Sequence, residues 1–159
     1  MLYFAYGANL NNAGMKWRCP KATPIKSITL SNWRLVFRGV ADIEPSLGHS
    51  VQGVLWHITP ECEASLDRFE GYPTLYTKDY FLVSTKVDEQ GNCIESEEVM
   101  VYLMMRDTYG APFHGYLDTI QEGYLEHGLD LTNLDAAVEY SSCHELQDPY
   151  VPKRYRTSA

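Results

Sequence analysis

The run Leu2-Tyr3-Phe4-Ala5-Tyr6-Gly7-Ala8-Asn9-Leu10 constrains the fold more than any other stretch of the chain. Its apolar and aromatic first half suits a buried strand. The strand breaks at a glycine, with a small residue and an asparagine after it. Glycine permits positive φ and lets a ligand approach the main chain closely, and asparagine can pin a turn through its side chain. The pattern predicts a first strand over residues 2–8 that ends in a fixed loop of backbone N–H groups, a cradle for a carboxylate or an oxyanion. An ordinary strand ending would use the same residues, so the loop gains meaning only from a second feature.

That feature lies about sixty residues on, in Ser65-Leu66-Asp67-Arg68-Phe69-Glu70-Gly71-Tyr72-Pro73. Thr59-Pro60-Glu61 has the chemistry of a helix start: a threonine N-cap, proline at the first helical position, and an acid at the positive end of the dipole. Leu66 and Phe69 supply an apolar stripe, and Gly71 a stop, which predicts a helix over residues 60–69. Glu70 then sits at the carbonyl end, where a carboxylate is disfavoured by roughly 0.3–1 kcal/mol when exposed. On position alone it reads as an exposed glutamate. Phe69, Tyr72, Pro73, Leu75 and Tyr76 surround it with apolar bulk, however, and burial among them would raise its pKa and make it a stronger base. A residue that breaks a local preference in such surroundings is a candidate functional group.

Elsewhere the pattern is that of strands followed by helices. A short helix through residues 14–18 stops at Pro20. Residues 25–30 and 34–37 read as strands with a turn at Ser31-Asn32, and residues 51–58 as another. Residues 79–87 and 99–105 form a hairpin pair around Gln90-Gly91-Asn92. Helical spacing over 114–126 ends at Gly128, and Thr132 can cap a last helix through Val138 and Tyr140. The order predicts an α+β fold with one core. The division is a domain over residues 1–150 and a basic tail over 151–159, with Lys153-Arg154-Tyr155-Arg156 as a solvated terminus.

The net charge of −8 disfavours a nucleic-acid backbone as partner. No apolar run reaches the roughly 20 residues that span a bilayer, and no signal peptide stands at the start. Neither a nucleic-acid nor a membrane partner is expected. Cys19, Cys62, Cys93 and Cys143 form no CxxC pair, which argues against a zinc ribbon and for a reduced, cytoplasmic setting. Cys143-His144 reads as a helix-end thiol beside a solvated imidazole. His49, His57, His114, His127 and His144 offer no i,i+4 pair on one helix, so no metal site is expected.

Three blocks together resemble the γ-glutamyl cyclotransferase family, in the branch acting on γ-glutamyl amino acids. The first is Leu2 to Leu10, where the family usually reads YFAYGSN. The second is Leu66-Asp67-Arg68-Phe69-Glu70-Gly71, followed by Tyr76. The third is Tyr102-Leu103-Met104, then Ala111-Pro112, Tyr116, Gly123, Glu126, Gly128 and Leu129. The likeness spans most of residues 1–140. It implies a small mixed β-barrel with packed helices, Glu70 as catalytic base, and a substrate pocket lined by Tyr3, Phe4, Ala5, Tyr6, Gly7, Ala8 and Tyr116. By alternation along a strand, Tyr3 and Tyr6 point to opposite faces unless the chain distorts near Gly7. Ala8 departs from the family's serine and removes one hydroxyl from the pocket.

The activity implied is intramolecular attack of an α-amine on its own γ-glutamyl carbonyl, releasing 5-oxoproline and a free amino acid or amine, as in glutathione metabolism. That chemistry needs a small-molecule γ-glutamyl substrate and no cofactor, and a homodimer is compatible with it. Two alternatives remain: a non-catalytic protein on the same fold that binds a small carboxylate, and a cyclotransferase specific for γ-glutamylamines. A P-loop nucleotide hydrolase is disfavoured, since the loop lacks the lysine and hydroxyl pair.

Overall fold

The first strand, β1 (Leu2–Ala5), ends earlier than its composition suggests, because the chain leaves the sheet at Tyr6 and makes one 3-10 turn over Ala8–Leu10. The computed structural model describes residues 1–145. The expected basic tail over 151–159, and the end of the expected 1–150 domain, lie outside the described residues. After the turn come α1 (Asn12–Arg18), β2 (Thr23–Phe37), β3 (Ala41–His57), α2 (Pro60–Glu70), β4 (Tyr76–Val87), β5 (Cys93–Met104), α3 (His114–Glu126) and α4 (Leu131–Cys143).

The five strands form one sheet in the order β2-β3-β1-β5-β4. The short β1 is central, antiparallel to β3 and parallel to β5. Residues far apart in sequence therefore meet at its end. Core residues are Phe4, Phe37, Leu55, Met100 and Tyr102 from the strands and Ile58 just after β3, with Leu66, Ile120 and Leu134 from the helices. The α+β class is as expected, but the sheet is not closed, so "barrel" describes it loosely. Its edges β2 and β4 approach without a hydrogen-bonded ladder. Trp33 stacks near Phe81 at a ring separation of 4.7 Å, and Lys26 donates to the carbonyl of Thr85. Side chains bridge the edges where main-chain pairing would be needed to complete a barrel.

Three local readings need correction. Ser31-Asn32 is no turn between strands: β2 runs through it, with Asn32 at φ 63° and a register irregularity between Ser31 and Trp33. The residue that signalled a turn instead makes a bulge in a long, bent strand. β3 starts ten residues before the expected Val51 and includes Pro45. Proline is tolerated there because this half of β3 pairs with β2 alone, so its other edge needs no donor. The last helix is capped by Asp130, which accepts from the Thr132 amide, and not by Thr132 itself.

Candidate functional site

A cavity of about 110 Å³ opens where the end of β1, the 3-10 turn, the C-terminus of α2 and the start of α3 converge. The helix that carries Glu70 is built as its sequence dictates. The Thr59 hydroxyl accepts from the Cys62 amide, and Gly71 ends the helix in the left-handed conformation at φ 66°. Leu66 anchors its inner face in the core. On the next face Lys78 of β4 pairs with both Glu63, at 2.5 Å, and Asp67, at 2.9 Å. Asp67 also accepts from the Tyr102 hydroxyl at 2.6 Å. These bonds tie α2, from its first turn at Glu63 to its last at Asp67, to β4 and β5 and so fix where Glu70 can reach.

Glu70 turns inward. Asn9, from the 3-10 turn, donates from Nδ2 to Glu70 Oε1 at 2.8 Å and also to the Tyr3 hydroxyl at 2.9 Å. Asn9 was expected to pin its own turn; it tethers the carboxylate instead, while the turn is closed by Leu10 and Asn11 amides donating to the carbonyls of Gly7 and Ala8. Glu70 as a residue keeps some exposure through its position at the helix end, whereas its carboxyl group is enclosed. Desolvation pushes its pKa up from 4.5 to about 7, against the pull of the Arg18 cation and the Asn9 hydrogen bond. Arg18 lies over the Phe69 ring at 3.9 Å, and its Nε and Nη2 are buried without hydrogen-bond partners.

The tyrosines complete the walls. Tyr3 and Tyr6 both line the cavity, since the strand ends before Tyr6 and the alternation of a longer strand does not apply. Tyr6 donates to the Tyr102 carbonyl at 2.6 Å, and Tyr76 to the Ala41 carbonyl at 2.5 Å. The Tyr116 hydroxyl accepts from the Ala41 amide at 2.9 Å, which leaves its own proton to donate. Desolvation holds its pKa above the ordinary phenol value.

Gly7 is required for space and not for a positive φ: its φ is −124°. A Cβ there would stand 2.9 Å from the Ala41 Cβ and 3.5 Å from the Tyr116 hydroxyl. Of the residues expected to line the pocket, Tyr3, Tyr6, Gly7, Ala8 and Tyr116 border the cavity, and Glu70, expected as the base, borders it too. Phe4 and Ala5 do not; both are wholly buried in the core beneath the cavity walls. Asn9, Val40, Ala41 and Tyr102 were missed as wall residues, and only the sheet order brings the last three to the end of β1. Tyr76 and Leu75 were visible as neighbours of Glu70 but not as parts of the wall. Of the cysteines, Cys19 and Cys62 are buried and Cys93 and Cys143 exposed, all with free thiols. His144, beside Cys143, stacks on Tyr140. Among the described residues no helix is long and apolar enough to cross a membrane.

Fold and cavity together define a small α+β protein with one enclosed carboxyl held against a strand-end loop. The sequence profile described as gamma-glutamyl cyclotransferase, AIG2-like, matches residues 3–124. The chain belongs to that family, and with it to enzymes of the γ-glutamylcyclotransferase type. It is 31% identical over 144 residues to the human gamma-glutamylcyclotransferase, covering 82% of this chain and 73% of that protein. It is 30% identical over 141 residues to the mouse protein of the same name, covering 80% and 72%. A solved structure titled gamma-glutamyl cyclotransferase superposes with a TM-score of 0.72 at 25% identity, over 96% of this chain and 92% of that one.

Proposed function

We propose that this protein cyclises the γ-glutamyl group of a small substrate, releasing 5-oxoproline and an amino acid or amine, with Glu70 as general base and then general acid. The observation that carries this reading is the Glu70 carboxyl, raised to about 7 by burial and tethered by Asn9 of the loop inside the tyrosine-lined cavity. A base of that strength is matched to an ammonium near neutral pH.

The polar groups of the cavity complement a folded glutamyl zwitterion. Glu70 and the buried, unpartnered Asn9 Oδ1 are acceptors for the α-ammonium. The Tyr116 O–H, and the Gly7 and Asn9 amides outside the turn's two bonds, are donors for the α-carboxylate or the developing oxyanion. Glu70 takes a proton from the ammonium, and the freed amine forms a C–N bond to the γ-carbonyl carbon. The tetrahedral oxyanion then collapses and the bond from that carbon to the leaving nitrogen breaks. Glu70 returns its proton to the departing amine, then takes the second proton of the ring nitrogen and passes it to the same amine, which leaves as an ammonium while the ring becomes the neutral lactam. Holding amine and carbonyl in the ring-closing conformer supplies the rest of the acceleration.

The test is mass-spectrometric detection of 5-oxoproline from a panel of γ-glutamyl dipeptides and γ-glutamylamines. The panel also identifies the leaving group, and Glu70→Gln should keep the fold and lower turnover by about 10²–10⁴-fold. Wild-type protein that binds the panel but releases no product would favour the binding protein over the enzyme.

A further inference from the structure

A second cavity, of about 200 Å³, lies between β2 and β3 on one side and α3 and α4 on the other, and shares no lining residue with the Glu70 cavity. It is more than ten times the size that admits a single water, about 10–15 Å³. Tyr124 of α3 lines it. This residue is wholly buried, and its hydroxyl has no hydrogen-bond partner. Arg34 of β2 lines it too. Its Nη2 donates to the Ser46 hydroxyl at 2.7 Å and its guanidinium lies 4.0 Å over the Tyr140 ring, yet its buried Nε is without a partner. Two unspent donors on opposite walls of one cavity are uncommon in a folded protein, where buried polar groups find partners.

We propose that this cavity is a second ligand site, distinct from the Glu70 cavity, which takes a small monocarboxylate with a short apolar tail through Arg34 and the Tyr124 hydroxyl. The charge of the ligand follows from the walls. The lining holds one guanidinium, that of Arg34, and one imidazole, that of His49, whose Nδ1 lies 2.9 Å from the Ser46 hydroxyl. With Arg34 as the one permanent cation among these residues, a monoanion is matched and a dianion is not. Asp130, whose charge acts on Tyr124, adds nearby negative charge that would oppose a phosphate further. The tail follows from Leu35, Val51, Ala136 and Ala137, which form an apolar part of the wall; of the remaining polar lining, Asn133 already donates to Gln52 at 3.2 Å.

The experiment titrates the full chain with isovalerate, and with the neutral isovaleramide as its isostere, by calorimetry or ligand-observed NMR. Isovalerate should bind in the millimolar range or tighter. Arg34→Met and Tyr124→Phe should each weaken it about tenfold or more, the loss of one hydrogen bond to a charged group. The amide should bind at least as poorly to wild type as the acid does to Arg34→Met, and Glu70→Gln should leave binding unchanged. Tyr124→Phe deletes a hydroxyl that has no partner, so it keeps the core and the test stands even where Arg34→Met does not fold. No binding of isovalerate at high-millimolar concentration overturns the proposal. So does binding that is equal in the variants, equal for the amide, or lost in Glu70→Gln.

Discussion

Replacing Glu70 by glutamine should make the protein more stable, and increasingly so as pH rises. The carboxyl ionises near 4.5 in an unfolded chain and at about 7 in the fold. Its folded pKa is the higher one, so the folded state binds the proton more tightly. The group then favours folding least once it is ionised in both states. Below about pH 4.5 it is protonated in both and has no effect. Between about 4.5 and 7 stability falls, and above 7 the loss is complete at about 3 kcal/mol. Glutamine does not titrate, and its Oε1 can still accept from Asn9 Nδ2. Every other titrating group is common to both proteins and cancels in their difference. The stability gained by Glu70→Gln should therefore grow from under about 1 kcal/mol near pH 5 to about 3 kcal/mol near pH 9. Urea unfolding of both proteins at the two pH values measures it directly. In melting temperature the change amounts to roughly 5–10 °C. A gain that is flat with pH, or that shrinks, would mean that the carboxyl is solvated and the account of a tuned base is wrong.

Three further outcomes follow from the same cavity. Since the base must be ionised, kcat/KM for 5-oxoproline release should rise through a pH near 7, and Arg18→Met, which removes the cation that lowers the Glu70 pKa, should move that limb roughly a pH unit upward; a limb that stays in place would remove Arg18 from the account. Gly7→Ala should cost about 1–3 kcal/mol in thermal or urea unfolding and weaken substrate binding more than tenfold, because the new methyl group meets Ala41 and crowds Tyr116. Ala8→Ser restores the family's usual hydroxyl and should change kcat/KM by no more than about tenfold, the worth of one hydrogen bond; a larger gain would mean that the side chain at position 8, and not the loop's backbone, carries the recognition.

The parts of this fold that could be read from the sequence are those whose causes are local. Thr59, Pro60 and Gly71 set the bounds of α2, and the spacing of Leu117, Ile120 and Tyr124 set those of α3, because caps and periodicity act within a few residues. The conflict between Glu70 and its helix terminus was visible for the same reason. Other features depend on the sheet. Ala41, Tyr102 and the end of β1 become neighbours only through the order β3-β1-β5, and nothing within ten residues of any of them records that order. Asn32 was misleading because its turn chemistry is absorbed as a bulge in a long bent strand, and the first half of β3 went unread because Pro45 within it has breaker chemistry that an edge with one partner strand tolerates. Phe4 and Ala5 belong to the matched motif, yet their place is in the core. A motif of consecutive strand residues combines wall and foundation, and only the point where the strand ends separates them.

The local violations are informative because they coincide in space. A glutamate at the carbonyl end of a helix, a carboxyl out of water, an asparagine oxygen buried without a partner and a glycine with no room for a methyl group all border one cavity of about 110 Å³. Scattered over the molecule, each would be an ordinary imperfection of about a kilocalorie or a few. Gathered at one place, they are acceptors and donors left for a guest that the folded chain does not itself supply. The surrounding bonds fit that purpose: Lys78 fixes α2 to the sheet, Asn9 fixes the carboxyl to the loop, and Ala41 fixes the Tyr116 hydroxyl. None of them neutralises Glu70. Arg18, the nearby cation, acts on it through space and makes no hydrogen bond to it, which lowers its pKa without removing it from use as a base. A structural ion pair at this position would have been more stable and chemically inert.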